Sequence, residues 1–385
     1  MSKVNDFMFI DNAQALDELC QQFKDDNWLA VDTEFVRDST YYPEFCLLQI
    51  GNQAISACID VLAIDDLSCV IELLFSPSCI KVFHAASQDL ELFYHLCQRI
   101  PQPLFDTQIA APLLGFPEQV GYATLVSQYL GVHLGKGQQR TDWSKRPLSQ
   151  AQLSYAAGDV TYLAKIYPLM IDRLAELDRQ NWLAADLEKL AQPERYDVPE
   201  EAAWRRIKAT KKLKGVRLRA AQRLAAWREQ TARNVNKPRN WILRDEALID
   251  VANLLPSDRE GLSRVRSLKG RSGEKYFDNF LYEVAQAKND PAPKVDQEKP
   301  TNMVPVDAAL VDLLMALVQL RAEENEINAN VLASRKALEQ AIRRDQASPV
   351  FQGWRAEIIG EDVKKMINGE LALSILNKRL VVTEI

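Results

Sequence analysis

Residues 28–35 read WLAVDTEF. Aromatic and β-branched residues favour a strand here, yet Asp32 and Glu34 interrupt the apolar run. Successive side chains on a strand take opposite faces. Asp32 and Glu34 therefore share one side, and Val31, Thr33 and Phe35 take the other. At the strand rise the two carboxylates stand ~7 Å apart and repel each other unless something positive lies between them. A divalent cation satisfies them, because magnesium takes oxygen ligands from a few carboxylates and from substrate phosphate. The structural alternative is the hydrated face of an edge strand. Acid-x-acid pairs recur in this chain, as Asp89-Leu-Glu91 and Asp186-Leu-Glu188.

The sequence around this stretch alternates strand-like and helix-like patterns. Strands are predicted at 7–10, 28–35, 46–51, 54–60 and 80–83, and helices at 12–24, 64–75, 88–98, 122–131 and 149–176. Gly51-Asn52-Gln53 reads as a hairpin turn. The pattern implies an α/β domain, a mixed sheet flanked by helices. Two further elements carry acids. IKVFHAASQDLELF (80–93) is a strand passing into a helix, with Asp89 in the first helical turn. A carboxylate there complements the helix dipole or serves a ligand. In LSYAAGDVTYLAKIY (153–167), Tyr155 and Asp159 are four apart and share a helix face. Gly158 costs about 1 kcal/mol relative to alanine in a helix, so a close approach to the backbone is expected there.

After residue 200 strand signals nearly vanish. Helices are predicted at 215–232, 244–254, 257–265 and 273–288, the third opening on a Ser257-x-x-Glu260 capping box. KNDPAPKVDQEKP (288–300) is polar and proline-rich, a linker, and a second helical group runs from 305 to about 378. The expected division is an α/β domain over 1–200, a basic helical domain over 201–290, a linker over 291–304 and a second helical domain over 305–385. The net charge is −6, but 201–290 holds 21 Lys+Arg against 11 Asp+Glu, and the remainder 26 against 42. A basic block in an acidic chain suits a polyanion; a solvated helical surface explains it equally. Six cysteines in the first hundred residues, none in a C-x-x-C pair, read as reduced core residues of a cytoplasmic protein. The start, MSKVNDFMFIDNAQ, does not read as a signal peptide. No apolar run approaches the ~20 residues a membrane helix needs, and no P-loop motif suggests ATP.

Together these elements are Asp-x-Glu on a strand, Asp at a helix start and Tyr-x-x-x-Asp on a later helix. They resemble the tyrosine branch of the DEDD exonuclease superfamily, and 121–163 resembles its ribonuclease D family at nearly every motif position. LRAAQRLAAWREQTARNVNKPRNWILRDEALIDVA (218–252) is similar to an HRDC domain, with a degenerate copy after the linker. Departures are Gly135 before Lys136, where an acid is expected, and Gly158, where alanine is usual. The resemblance implies two divalent ions, magnesium or manganese, ~3.5–4 Å apart. Asp32, Glu34 and Asp159 would hold one; Asp32 would bridge to the other, with Asp89 acting there through water. Tyr155 would orient the attacking water, since a phenol with pKa near 10 is a poor base at neutral pH. The implied activity is 3′→5′ removal of nucleoside 5′-monophosphates from structured RNA, transfer RNA precursors with a free 3′ end, by a monomer. Candidate substrate contacts are Phe35 and Leu90 on the bases, with core packing as the alternative; His84, otherwise a satisfied loop histidine; and Arg140 and Trp143 on phosphate or base, which could equally fix the loop before the Tyr155 helix. Lys211, Lys212, Lys214, Arg217 and Arg219, with Arg264, Arg266, Lys269 and Arg271, suit phosphate contacts that ignore sequence.

Overall fold

The computed structural model describes residues 6–135, 137–138, 141–268, 274–290, 306–343 and 345–385. Residues 291–304 of the linker, Lys136, Arg140, Lys269 and Arg271 lie outside them, and the expected linker start at 288–289 belongs instead to the helix Phe277–Asn289. A six-stranded sheet has the order β1-β4-β3-β2-β5-β6, with β1 Met8–Ile10, β2 Trp28–Val36, β3 Glu44–Gly51, β4 Ser56–Ile59, β5 Ile80–Phe83 and β6 Leu104–Asp106. The first four strands after β1 build outward from the opening stretch: β2 pairs antiparallel with β3 and parallel with β5. The sheet is therefore mixed, as expected, and β2 lies in its middle, which excludes the hydrated-edge reading of Asp32 and Glu34. The β3–β4 hairpin forms at the expected turn, where the Asn52 side chain accepts from the backbone N–H groups of Ala54 and Ile55. Strand β6, only three residues long, was not legible in the sequence.

One face of the sheet is covered by α1 (Ala13–Phe23), α2 (Ser68–Leu74) and α3 (Ser87–Cys97), whose apolar residues pack on Leu29, Val31, Leu48 and Ile50. The other face carries α6 (Gln150–Glu176), reached after α4 (Thr107–Ala110) and α5 (Tyr122–Leu130). Ala30 and Val82 join a core with Val160, Leu163 and Tyr167 of α6. The helix starts on a capping box, Ser149 with Gln152. Its buried side fixes which way Tyr155 and Asp159 point. Lys81, fully buried in β5, donates to the carbonyls of Ser76, Cys79 and Gln102.

Beyond α7 (Ala184–Leu190), a helical group built on α8 (Gly215–Asn234) encloses its own core. It docks on the β2–β3 connection. The Tyr41 hydroxyl donates to Glu229 at 2.5 Å, Arg239 donates to the same carboxylate at 2.6 and 2.9 Å, and Asn236 accepts from the N–H groups of Tyr41 and Tyr42. The expected capping box at Ser257 does not form. Asp258 caps the helix Arg259–Ser263, accepting from Gly261 N–H at 2.7 Å, because the chain turns one residue later than the motif suggests.

The last helical group, Ala308–Glu324 to Glu361–Asn368, shares a continuous core with α6. Trp182 and Trp354 stack at 4.5 Å and 3°, Asn328 N–H donates to Pro112 carbonyl, and Arg179 donates to the carbonyls of Leu113 and Asn325. The group is not wholly helical. Gly369, at φ 78°, ends the last helix, and β7 (Leu371–Leu376) and β8 (Arg379–Glu384) form a hairpin. Its two-residue loop, Asn377-Lys378, has both residues at positive φ, the backbone that suits a tight hairpin.

Candidate active site

Strand β2 delivers Asp32 and Glu34 toward α6, and α6 returns Asp159. One carboxylate oxygen from each of the three lies within 4.8 Å of the others. Asp89 reaches the group from the opposite layer, at the start of α3. Thr33, which alternation turns away from α6, accounts for this: its hydroxyl donates to Asp89 Oδ1 at 2.5 Å. Asp32, Glu34, Asp89 and Tyr155 line a common cavity of about 690 Å³. Tyr155 also hydrogen-bonds to Asp159. Carboxylates from three separated segments of the chain therefore converge on one place.

The loop that presents α3 is held by Asp106, at the end of β6. Its carboxylate accepts from the N–H groups of Ala85 (3.1 Å), Ala86 (2.9 Å) and Gln108 (2.8 Å). Ala85 sits at φ 61°, a left-handed conformation uncommon for a non-glycine residue, and the Asp106 hydrogen bonds favour it. On the other side, the Tyr122 hydroxyl donates to the carbonyl of Gly158 at 3.1 Å and to that of Asp159.

Burial raises every carboxyl of the cluster, and neighbouring carboxylates add to it: those of the cluster for Asp32, Glu34 and Asp159, that of Asp106 for Asp89. Asp32 is pushed well above the usual range by burial, then by the charges of Asp159, Asp89 and Glu34. Burial, reinforced by Asp159 and Asp89, lifts Glu34 to about 9. Asp159 rises to about 8 through burial, partly offset by the Tyr155 hydrogen bond. Asp89 rises to about 7, again through burial, with Thr33 opposing. A divalent cation removes both costs, since it supplies the missing charge and prefers an all-oxygen donor set. The residues fit such an ion.

The candidate substrate contacts divide. Phe35 lines the cavity. Leu90 does not: it is fully buried under β2 with Phe83 and Phe93. Trp143 is also core, 1% exposed, packed on Cys46, Leu47 and Tyr155, so it fixes the loop before α6. His84 sits beside the cavity without lining it, its Nδ1 2.9 Å from Thr107 Oγ1 and its ring 5.4 Å from that of Tyr122. Lys211, Lys212 and Lys214 are exposed on the helical group. Arg140 lies outside the described residues. Thr33, Asp106 and Tyr122 were missed by sequence reasoning; only the polar Thr33 inside the strand hinted at one of them.

Comparison with known proteins agrees with this geometry. The 3′-5′ exonuclease family matches residues 7–175, and the HRDC domain family matches 217–284. The chain is 39% identical to ribonuclease D of Sphingobium indicum, over 97% of this chain and 98% of that one. It is 39% identical to ribonuclease D of Acidiphilium cryptum, over 98% and 97%. Among solved structures, Escherichia coli RNase D, described as an exoribonuclease involved in structured RNA processing, superposes with a TM-score of 0.80 at 32% identity, over 94% of this chain and 99% of that one.

Proposed function

This chain belongs to the ribonuclease D family, and from that membership we propose a 3′→5′ exoribonuclease that trims structured RNA precursors, transfer RNA precursors among them. That it is a nuclease follows from the family and its exonuclease domain. The finer reading is carried by one observation: carboxylate oxygens of Asp32, Glu34 and Asp159 within 4.8 Å of one another, with Asp89 and Tyr155 on the same cavity.

Asp32, Glu34 and Asp159 would hold one divalent ion, magnesium or manganese, and Asp32 with Asp89 a second. When bound, such ions supply Lewis acidity at the scissile phosphate and make water a competent nucleophile at neutral pH. The chain does the rest. Tyr155, oriented by Asp159, aligns the attacking water through its phenol. Phe35 stacks on a terminal base. Thr33 and Asp106 hold Asp89 in place, and Tyr122 holds the backbone that carries Asp159. We assign residues 1–200 to the exonuclease domain, 201–290 to a basic HRDC domain, 291–304 to a linker and 305–385 to a second HRDC-like domain. The enzyme acts as a cytoplasmic monomer without ATP.

The test is digestion of matched RNA and DNA strands with magnesium. RNA with a free 3′ end should yield nucleoside 5′-monophosphates, and Asp32→Asn should abolish hydrolysis while RNA binding persists. Wild-type-like turnover by that variant would remove the proposed site, and a preference for DNA would overturn the substrate.

A further inference from the structure

Arg195 ends the short turn Pro193–Arg195 after α7 and lies on the wall of the carboxylate cavity. It is the one basic side chain among the described residues that line it. Its guanidinium makes a single hydrogen bond, 3.4 Å from Nη2 to Ser87 Oγ, and no ion pair among the described residues. Nearby acids do not use it. Asp186, on the same wall, is already paired with Lys189 at 3.2 Å and with Arg355 at 3.4 Å. Ser87 belongs to the first turn of α3, two residues before Asp89, so the unpaired cation stands close to the acidic cluster without neutralising it.

We propose that Arg195 binds the substrate phosphate next to the scissile one. This rests on the exonuclease reading above. A strand cut at its 3′-terminal linkage has one neighbouring linkage, on the 5′ side, so the phosphate concerned is that of the penultimate linkage. A planar guanidinium fork matches two phosphate oxygens. The cavity, about 690 Å³, is in the size range that encloses ligands larger than a single small group, which leaves room for more than the terminal nucleotide. A second phosphate entering there meets Asp89 and Asp186, and a free cation on the wall offsets that repulsion. The carboxylates thus serve the reacting phosphate, and Arg195 registers the strand behind it.

The experiment measures single-turnover hydrolysis, with saturating magnesium, of two short RNAs. One has ordinary phosphates; the other carries a neutral methylphosphonate at the penultimate linkage. Wild type, Arg195→Ala and Arg195→Lys are compared, each checked for wild-type thermal unfolding. Arg195→Ala should lower kcat/KM on ordinary RNA by roughly tenfold to a hundredfold, the range for a charge-assisted hydrogen bond. The neutral linkage should cost wild type a similar factor and cost the alanine variant little, with Arg195→Lys between. If the neutral linkage slows wild type and Arg195→Ala equally, Arg195 does not read that phosphate and the inference falls. If well-folded wild type shortens neither RNA, the exonuclease reading itself is what fails.

Discussion

Asp32, Glu34, Asp89 and Asp159 each carry a folded pKa above the ordinary carboxylate value near 4. Between the unfolded and folded values the folded chain holds more protons than the unfolded one, so stability falls as pH rises. With Asp89 at about 7, Asp159 at about 8 and Glu34 at about 9, that loss spans roughly pH 4 to 9. In chelator, the melting temperature should therefore drop steadily from pH 5 to 9, and magnesium should flatten the curve; a flat profile in chelator would mean that burial and neighbouring charge do not raise these carboxyls. At this scale the sequence was informative where the signal is local. Alternation along β2 and the four-residue spacing in α6 suffice to pair Asp32 with Glu34 and Tyr155 with Asp159. Thr33 and Tyr122 escaped notice because their partners lie 56 and 36 residues away. Leu90 and Trp143 misled because an apolar side chain beside a motif acid reads the same whether it faces a base or the core.

Among the elements, β6 contributes little area but ends in Asp106, which ties the β5–α3 loop to the sheet. Asp106→Ala removes the acceptor of three N–H groups and frees Ala85 from its left-handed backbone. Misplacing a reacting group by ~1 Å can cost a hundredfold in rate, so kcat should fall by about that factor while magnesium still raises the melting temperature. Unchanged kcat would show that α3 positions Asp89 unaided. Long elements were legible: α6 follows its predicted span, with a capping box at its start. Among the short strands, β1, β4 and β5 were legible from their apolar runs, but β6 was not, since its three residues form a strand only through pairing with β5. The C-terminal hairpin was read as helix because LALSIL also fits helical spacing. Gly369 and the Asn377-Lys378 loop, all in left-handed conformations, decide the matter.

Across the whole molecule, the two helical groups are docked on the α/β domain through different surfaces, one at Tyr41 and the other at α6. The basic surface of the first should set the salt response of RNA binding. Replacing Lys211, Lys212 and Lys214 together with alanine should weaken binding to all sequences alike. It should also reduce the slope of log affinity against log salt by roughly 0.7 per lost phosphate contact on a single strand; an unaltered slope would place the RNA path elsewhere. Charge imbalance was visible in the sequence, but docking was not, because Glu229 finds Tyr41 across 188 residues and no local pattern announces such a pairing. The second docking surface brings Trp182 and Trp354 face to face. Their indoles are a built-in optical gauge: should the C-terminal group lift away, tryptophan emission changes while the sheet beneath is still intact.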